Sequence, residues 1–361
     1  MKQLVSFIIL CTVLLFSACR SAVDDLDDSD DKTLLVNLDI SVALSDVSDV
    51  LTRAPEDEAN DNEKMQTLRV VIVRPNWTVE ANRLIDLKAA ATLKHQVTDP
   101  FKVVGNERKL IYLFVNEETT VTDKTNNTIR KLVDYDLENE IRVGGYFPVT
   151  EINGLKIRLE DNREQIVGAL PMSEKHYVEV SAEPQQSCNL FVTRAAVKFT
   201  FHIVNKSNKS ITLDGLTINK VAREEWYMPR AEYTDPKNDP EGEREIIAYE
   251  VPAGVGHYIY GEEQFAQTVK VNAAEELTFD PIYLLESKYT EEPDPEDPTH
   301  NYFIKMSINN IQKEHYLTNL PTLPRNTHVV VNITFDSKAM ISCVVDVIPY
   351  SEIELKPDFG L

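Results

Sequence analysis

The segment Leu34–Leu44 constrains the fold more than any other part of the chain. Leu34, Val36, Leu38, Ile40, Val42 and Leu44 alternate with Leu35, Asn37, Asp39, Ser41 and Ala43. Apolar residues at a strict period of two describe a strand with one buried face. At about 3.3 Å per residue the segment spans roughly 36 Å, long for a strand. Burying its face is worth on the order of 10 kcal/mol, at about 1.5–3 kcal/mol per large aliphatic side chain, before chain entropy is subtracted. Such a strand does not stay in water. It sits in its own fold or in a partner's.

The rest of the body reads the same way. Leu68–Val73, Leu110–Val115, Tyr177–Val180, Ala195–Val204, Ile211–Ile218, Tyr302–Ile308, His328–Phe335 and Ile341–Val347 are rich in β-branched and aromatic residues. Turn residues punctuate them at Asn116, Gly144-Gly145 and Asp214-Gly215. Helical patterning is confined to Thr78–Lys94 and Leu132–Ile141. These features predict a mainly β protein of antiparallel sandwich character with few short helices. The polar break Ser181–Ser187 predicts a first β domain over 34–185 and a second over 186–361. Tyr233–Glu243 and Glu286–Thr299, acidic and proline-bearing, read as exposed loops of the second half. No internal repeat is visible.

The amino terminus carries an address. Lys2, the apolar run Val5–Phe16 and the small residues Ser17 and Ala18 form a secretory signal over 1–18. The run is too short to span a bilayer comfortably. Leu15-Phe16-Ser17-Ala18-Cys19 resembles a bacterial lipobox. That resemblance implies cleavage before Cys19 and acylation of its thiol, with palmitate among the expected fatty acids. An acidic tether follows over 19–33, including Asp24, Asp25, Asp27, Asp28, Asp30 and Asp31. It lacks the glycine and the closing glutamate of a calcium loop and reads as a self-repelling, solvated spacer. An acidic stretch at this place also resembles the export signal that sends some lipoproteins to the outer leaflet of the outer membrane. Cys188 and Cys343 are left to pair in an oxidising compartment or to stay as two separate core thiols.

Charge and motifs exclude several function classes. Lys and Arg total 37 against 59 Asp and Glu, a formal net charge of -22. Nucleic acid and anionic lipid both require a basic face. No Gly-x-Ser-x-Gly elbow, His-Glu-x-x-His or glycine-rich phosphate loop occurs. The seven histidines are scattered without metal-ligand spacing, and His202 and His328 fall in strand patterns as structural residues. Glu224-Glu225 offers a glycosidase-like pair, but chance pairs are expected among so many carboxylates. Trp226-Tyr227-Met228 reads as a core cluster ahead of a binding platform. The expectation is a protein that is not an enzyme and needs neither cofactor nor metal.

Several segments, taken in order, carry a family resemblance. After the lipobox, tether and alternating strand comes the step Arg53-Ala54 in a polar stretch that contains Pro55. Leu68–Val73, Lys109–Asn116, Leu170–Ser173, Val192–Phe199, Ile282–Glu286 and Arg325–Ile333 follow. The chain resembles the FimA-type fimbrillins, the type V pilins, over essentially its whole length. The resemblance implies two transthyretin-like sandwich domains, and cleavage between Arg53 and Ala54 by an arginine-specific protease. It further implies polymerisation by strand exchange into a cell-surface fimbria that supports adhesion. The implied partners are other fimbrial subunits in a homo- or heteropolymer, the outer membrane through the lipid before processing, and a host protein or glycan. The carboxyl terminus offers a donor strand in Val345, Val347, Ile353, Leu355 and Phe359, all at odd positions. Pro349 and Pro357 interrupt that ladder and suit a peripheral or swapped strand. For Cys343–Tyr350 an ordinary last strand of the second domain is an equal expectation. A tip or anchor role, or a monomeric outer-surface lipoprotein that binds glycans or host proteins, is the alternative.

Overall fold

The computed structural model describes residues 34–45, 59–123, 128–160, 164–207, 210–233, 246–249, 257–262, 267–269, 276–278, 280–288, 302–308, 311–317, 322–335 and 341–349. Their regular structure is mostly strand, with helix limited to the turn Leu137–Glu140, the short helix Val149–Gly154 and 3-10 turns. The fold is mainly β and sandwich-like, as the sequence predicts.

The alternating segment forms β1 (Leu35–Leu44), and its burial alternates along its length. β1 lies between β12 (Gln185–Arg194), which runs parallel to it, and two short antiparallel strands, β4 (Lys94–Gln96) and β5 (Phe101–Val104). A second run of strands has the order β3 (Val79–Asp86), β2 (Thr67–Val73), β6 (Glu107–Val115) and β11 (Met172–Val180). β12 joins the two. Its body pairs with β1, while Thr193 and Arg194 pair with Ser173 and Met172 of β11. The apolar faces close on one core that holds Val36, Leu38 and Ile40 together with Val70, Ile72 and Leu113.

β2 is buried along its whole length, on both faces. Tyr112 and Phe114 are two residues apart on β6 and so on one face; Tyr112 stacks on Phe147 with ring centroids 4.4 Å apart, and Phe114 meets Tyr227 at a tilt with centroids 5.7 Å apart. The segment over this region carries a three-stranded sheet of β7 (Thr120–Asp123), β8 (Thr128–Lys131) and β10 (Ile166–Val167). It also carries β9 (Lys156–Arg158), which pairs with β15 (Glu224–Trp226) and so ties the two halves of the chain together.

The second half has two larger sheets. In one, β13 (Val197–Asn205) runs parallel to β26 (Thr327–Phe335) and antiparallel to β20 (Glu276–Thr278) and β21 (Ile282–Leu284), while β26 also pairs with β27 (Ile341–Pro349). In the other, β18 (His257–Glu262), β14 (Ile211–Ala222), β23 (Tyr302–Ile308) and β24 (Ile311–Leu317) lie in that order, with β19 (Gln267–Val269) also on β14. Two small ribbons pair β16 (Ala231–Tyr233) with β17 (Ile246–Tyr249) and β22 (Ser287–Lys288) with β25 (Thr322–Leu323).

Two expectations need revision. Thr78–Lys94 is not an α-helix: it holds β3, a 3-10 turn at Lys88–Ala90 and the start of β4. Trp77 N–H donates to Arg74 O at 2.9 Å and Thr78 N–H to Asn76 Oδ1 at 3.1 Å, and this turn folds β3 back onto β2. The unpaired edge of β2 outweighs the helix propensity of the Ala and Leu residues in the segment. In Leu132–Ile141 only Leu137–Glu140 is helical, opened by the Asp136 carboxylate accepting from Asn139 N–H. The polar break at 181–187 leads into β12, which shares a sheet with β11 and β1. A repeat invisible in the sequence also emerges. β1 pairs parallel with β12 and antiparallel with two short strands; β13 does the same with β26, β20 and β21.

Candidate functional site: the slot filled by the first strand

β1 is bounded on both edges. On one side Asn37 to Leu44 lie in register with Gln185 to Val192. On the other, Leu35–Leu38 face Phe101–Val104 and Ser41–Ala43 face Lys94–Gln96. Val36, Leu38, Ile40, Val42 and Leu44 are at most 1% exposed. Leu34 and Leu35, at the start of the strand, are 43% and 59% exposed. Gly105 N–H donates to Leu34 O at 2.7 Å. A side chain on Gly105 would meet Ser181 O at 2.8 Å, so glycine is required for this close approach. Taking β1 away would bare an apolar face together with the backbone groups of β12, β4 and β5. Only an extended chain with the same period can satisfy both.

The walls are braced by buried charge. Lys109, fully buried, lies 2.7 Å from both Glu80 and Glu107, and Arg74 pairs with Glu107. The Arg74 guanidinium, then Lys109, hold the Glu107 carboxyl down near about 2 against the opposing effect of burial. Glu80 Oε1 in turn accepts the backbone N–H of Val104 at 2.9 Å, on the β5 wall. On the β12 wall, Cys188 stands opposite Ile40 as a half-buried free thiol. Burial, helped by Asp39, pushes this thiol up to about 12, so it is unreactive at neutral pH.

The far end of β1 is polar. Ser45 N–H donates to Val192 O at 3.0 Å, and Asn326 Nδ2 donates to Ser45 Oγ at 2.9 Å. Asn326 Oδ1 accepts from Arg194 Nη1 at 3.3 Å. Arg194 also donates from Nε and Nη2 to Glu63 O, at 3.2 and 3.1 Å. The Glu63 carboxylate is 2.6 Å from Lys198 Nζ and accepts from Tyr283 OH at 2.5 Å and Asn60 Nδ2 at 3.3 Å. Asn60 Nδ2 also donates to Tyr283 OH at 2.8 Å, so Ser45 and Asn60 both reach residues of the second half, and Arg53 lies between them in sequence.

The sequence-predicted residues are placed as follows. Cys19, Arg53, Ala54, Ile353, Leu355 and Phe359 lie outside the described residues. Val345 and Val347 are in β27, opposite Val331 and Val329 of β26. Glu224 pairs with Lys156 and Arg158, while Glu225 is buried with Glu286 and Arg325. Burial drives the Glu225 carboxyl up, and its exposure is 0%, so it has no open approach for a substrate. Tyr227 and Met228 are core, and Arg230 stacks over Trp226 at 3.6 Å. His328 bonds to Thr200 Oγ1 at 2.8 Å; burial, with the Lys198 charge, lowers its pKa to about 4. Among the described residues no three His, Cys, Asp or Glu are grouped to hold a metal ion. A cleft of about 570 Å³ contains Arg130, Lys131, Lys156 and Arg158, but each of these cations already pairs with a glutamate: Glu164, Glu118 or Glu224. Sequence reasoning missed Ser45, Glu63, Arg194 and Asn326. No periodicity marks them, because their partners lie more than a hundred residues away.

No protein-family model matches the chain, and no curated protein shows a significant match. Among solved structures, the tip fimbrial protein Mfa3 of Porphyromonas gingivalis, with a C-terminal truncation, is similar at 11% identity and a TM-score of 0.49. That match covers 87% of this chain and 99% of the other. A fimbrial assembly protein of Parabacteroides distasonis is similar at 10% identity and a TM-score of 0.45, covering 87% of this chain and 98% of the other. Likeness at this level carries no inference about function.

Proposed function

We propose that the chain is a structural subunit of a cell-surface fimbria. It is exported as a lipoprotein through Cys19, cut between Arg53 and Ala54, and polymerised when a strand from another subunit replaces β1, in support of adhesion. One observation carries the reading: β1 is a single long strand whose five inward side chains are at most 1% exposed, placed between the lipid signal and the Arg53-Ala54 step. A segment in that position can be removed by one cut, and its loss leaves a slot that only another strand completes. β27 is already paired within the chain, so the donor role falls to Ile353, Leu355 and Phe359.

The test is incubation of the purified protein with an arginine-specific protease. Cleavage after Arg53, read by amino-terminal sequencing, should be followed by a ladder of multimers on a gel. A product that is cut there and stays monomeric would refute strand exchange.

A further inference from the structure

The polar end of the slot sets a chemical requirement on whatever fills it. Arg194 is 1% exposed and its guanidinium can only donate. Two of its nitrogens are committed to Glu63 O, so the guanidinium is fixed and its Nη1 faces Asn326. The Asn326 amide must therefore present its oxygen to Arg194, and its NH2 is left facing the slot. The backbone of Asn326 is pinned as well: its N–H donates to Ala196 O at 2.8 Å, with φ of 61 degrees, a left-handed conformation that asparagine tolerates. The amide cannot flip without setting two donors against each other. In β1 the acceptor for the NH2 is the hydroxyl of Ser45, itself 8% exposed.

We infer that Asn326 is a specificity-determining residue of the slot, selecting for a hydrogen-bond acceptor at the position of Ser45. The occupant is an extended segment: β1 in the uncut chain and, resting on the function proposed above, its replacement from another subunit. Alternating aliphatic residues supply affinity but are common to many strands. The Asn326 NH2 discriminates among them, because an apolar residue there takes away the acceptor of this half-buried donor and a lysine sets donor against donor.

The test uses the full chain and hydrogen exchange of the β1 amides. Ser45→Thr keeps an acceptor and should leave exchange unchanged. Ser45→Ala should speed it about tenfold, and Ser45→Lys by more. Asn326→Asp presents a carboxylate to both Arg194 and position 45, so it should restore slow exchange to the Ser45→Lys chain. Exchange at the parent rate in Ser45→Lys, or no rescue by Asn326→Asp, would overturn the inference. A second arm offers synthetic peptides of residues 35–45, ending in Ser or Lys, to the chain cut after Arg53. Preference for Ser, reversed by Asn326→Asp, extends the selection to incoming strands. If neither peptide enters while the full-chain results hold, strand exchange is refuted and the pairing of Asn326 with β1 stands.

Discussion

Ile40→Ala probes how tightly β1 is held. Ile40 is 0% exposed at the middle of the strand, with Leu38 and Val42 on the same face. Its partner across the parallel ladder is Cys188, and its carbonyl accepts Val97 N–H at 2.9 Å. The substitution leaves those backbone bonds intact and removes only side-chain carbon. Truncation of a buried isoleucine costs about 2–5 kcal/mol, from lost transfer energy and the cavity left behind. Taking about 3 kcal/mol, the cut strand should leave its slot roughly a hundredfold faster, at about 1.4 kcal/mol per factor of ten. Ser41, the next residue, faces the other way, and Ser41→Ala should change the rate less than about twofold. The assay is release of a fluorescently labelled amino-terminal fragment from the chain cleaved after Arg53, followed over time after dilution. Equal rates for Ile40→Ala, Ser41→Ala and the parent would refute the argument that the aliphatic face holds the strand.

Two further predictions address other parts of the molecule. Burial pushes the Glu174 carboxyl up to about 7, against the opposing effect of its hydrogen bond from Thr193. Stability from this group is full below the ordinary carboxylate pKa of about 4.3 and lost as pH rises through about 7, a swing on the order of 3 kcal/mol. Glu174→Gln should therefore flatten the fall in stability between about pH 5 and 7 relative to the parent; a denaturant series at several pH values that gives parallel curves would refute it. The comparison must be with the parent, because His328, lowered to about 4 by burial, opposes Glu174 by losing stability as pH falls. Cys19→Ala should abolish fatty-acid labelling and leave the signal segment attached, so normal labelling of that variant would refute the lipobox.

The sequence reveals β1 because a half-buried strand writes its two faces into alternate residues, and the observed burial follows that alternation residue by residue. β2 and β6 are legible for a different reason: they are buried on both faces, so they appear as continuous runs such as Leu110–Val115. Thr78–Lys94 misleads because the deciding contact is the edge of β2, which local propensity does not encode. The parallel pairing of β1 with β12 is also hidden, since it joins residues about 150 positions apart in sequence and no short motif signals it. The polar end of the slot is the least legible part. Asn60, Glu63, Arg194 and Asn326 are ordinary polar residues until folding buries Glu63 and Arg194 and brings the two asparagines against them, and only then do their fixed hydrogen-bond roles become a constraint.

The direction of β1 has a consequence for architecture. A segment seated parallel to β12 and antiparallel to β4 and β5 fits only one way round. Joints made through this slot would all point the same way, so a filament of such units would possess a head and a tail, and its two ends would grow by different chemistry.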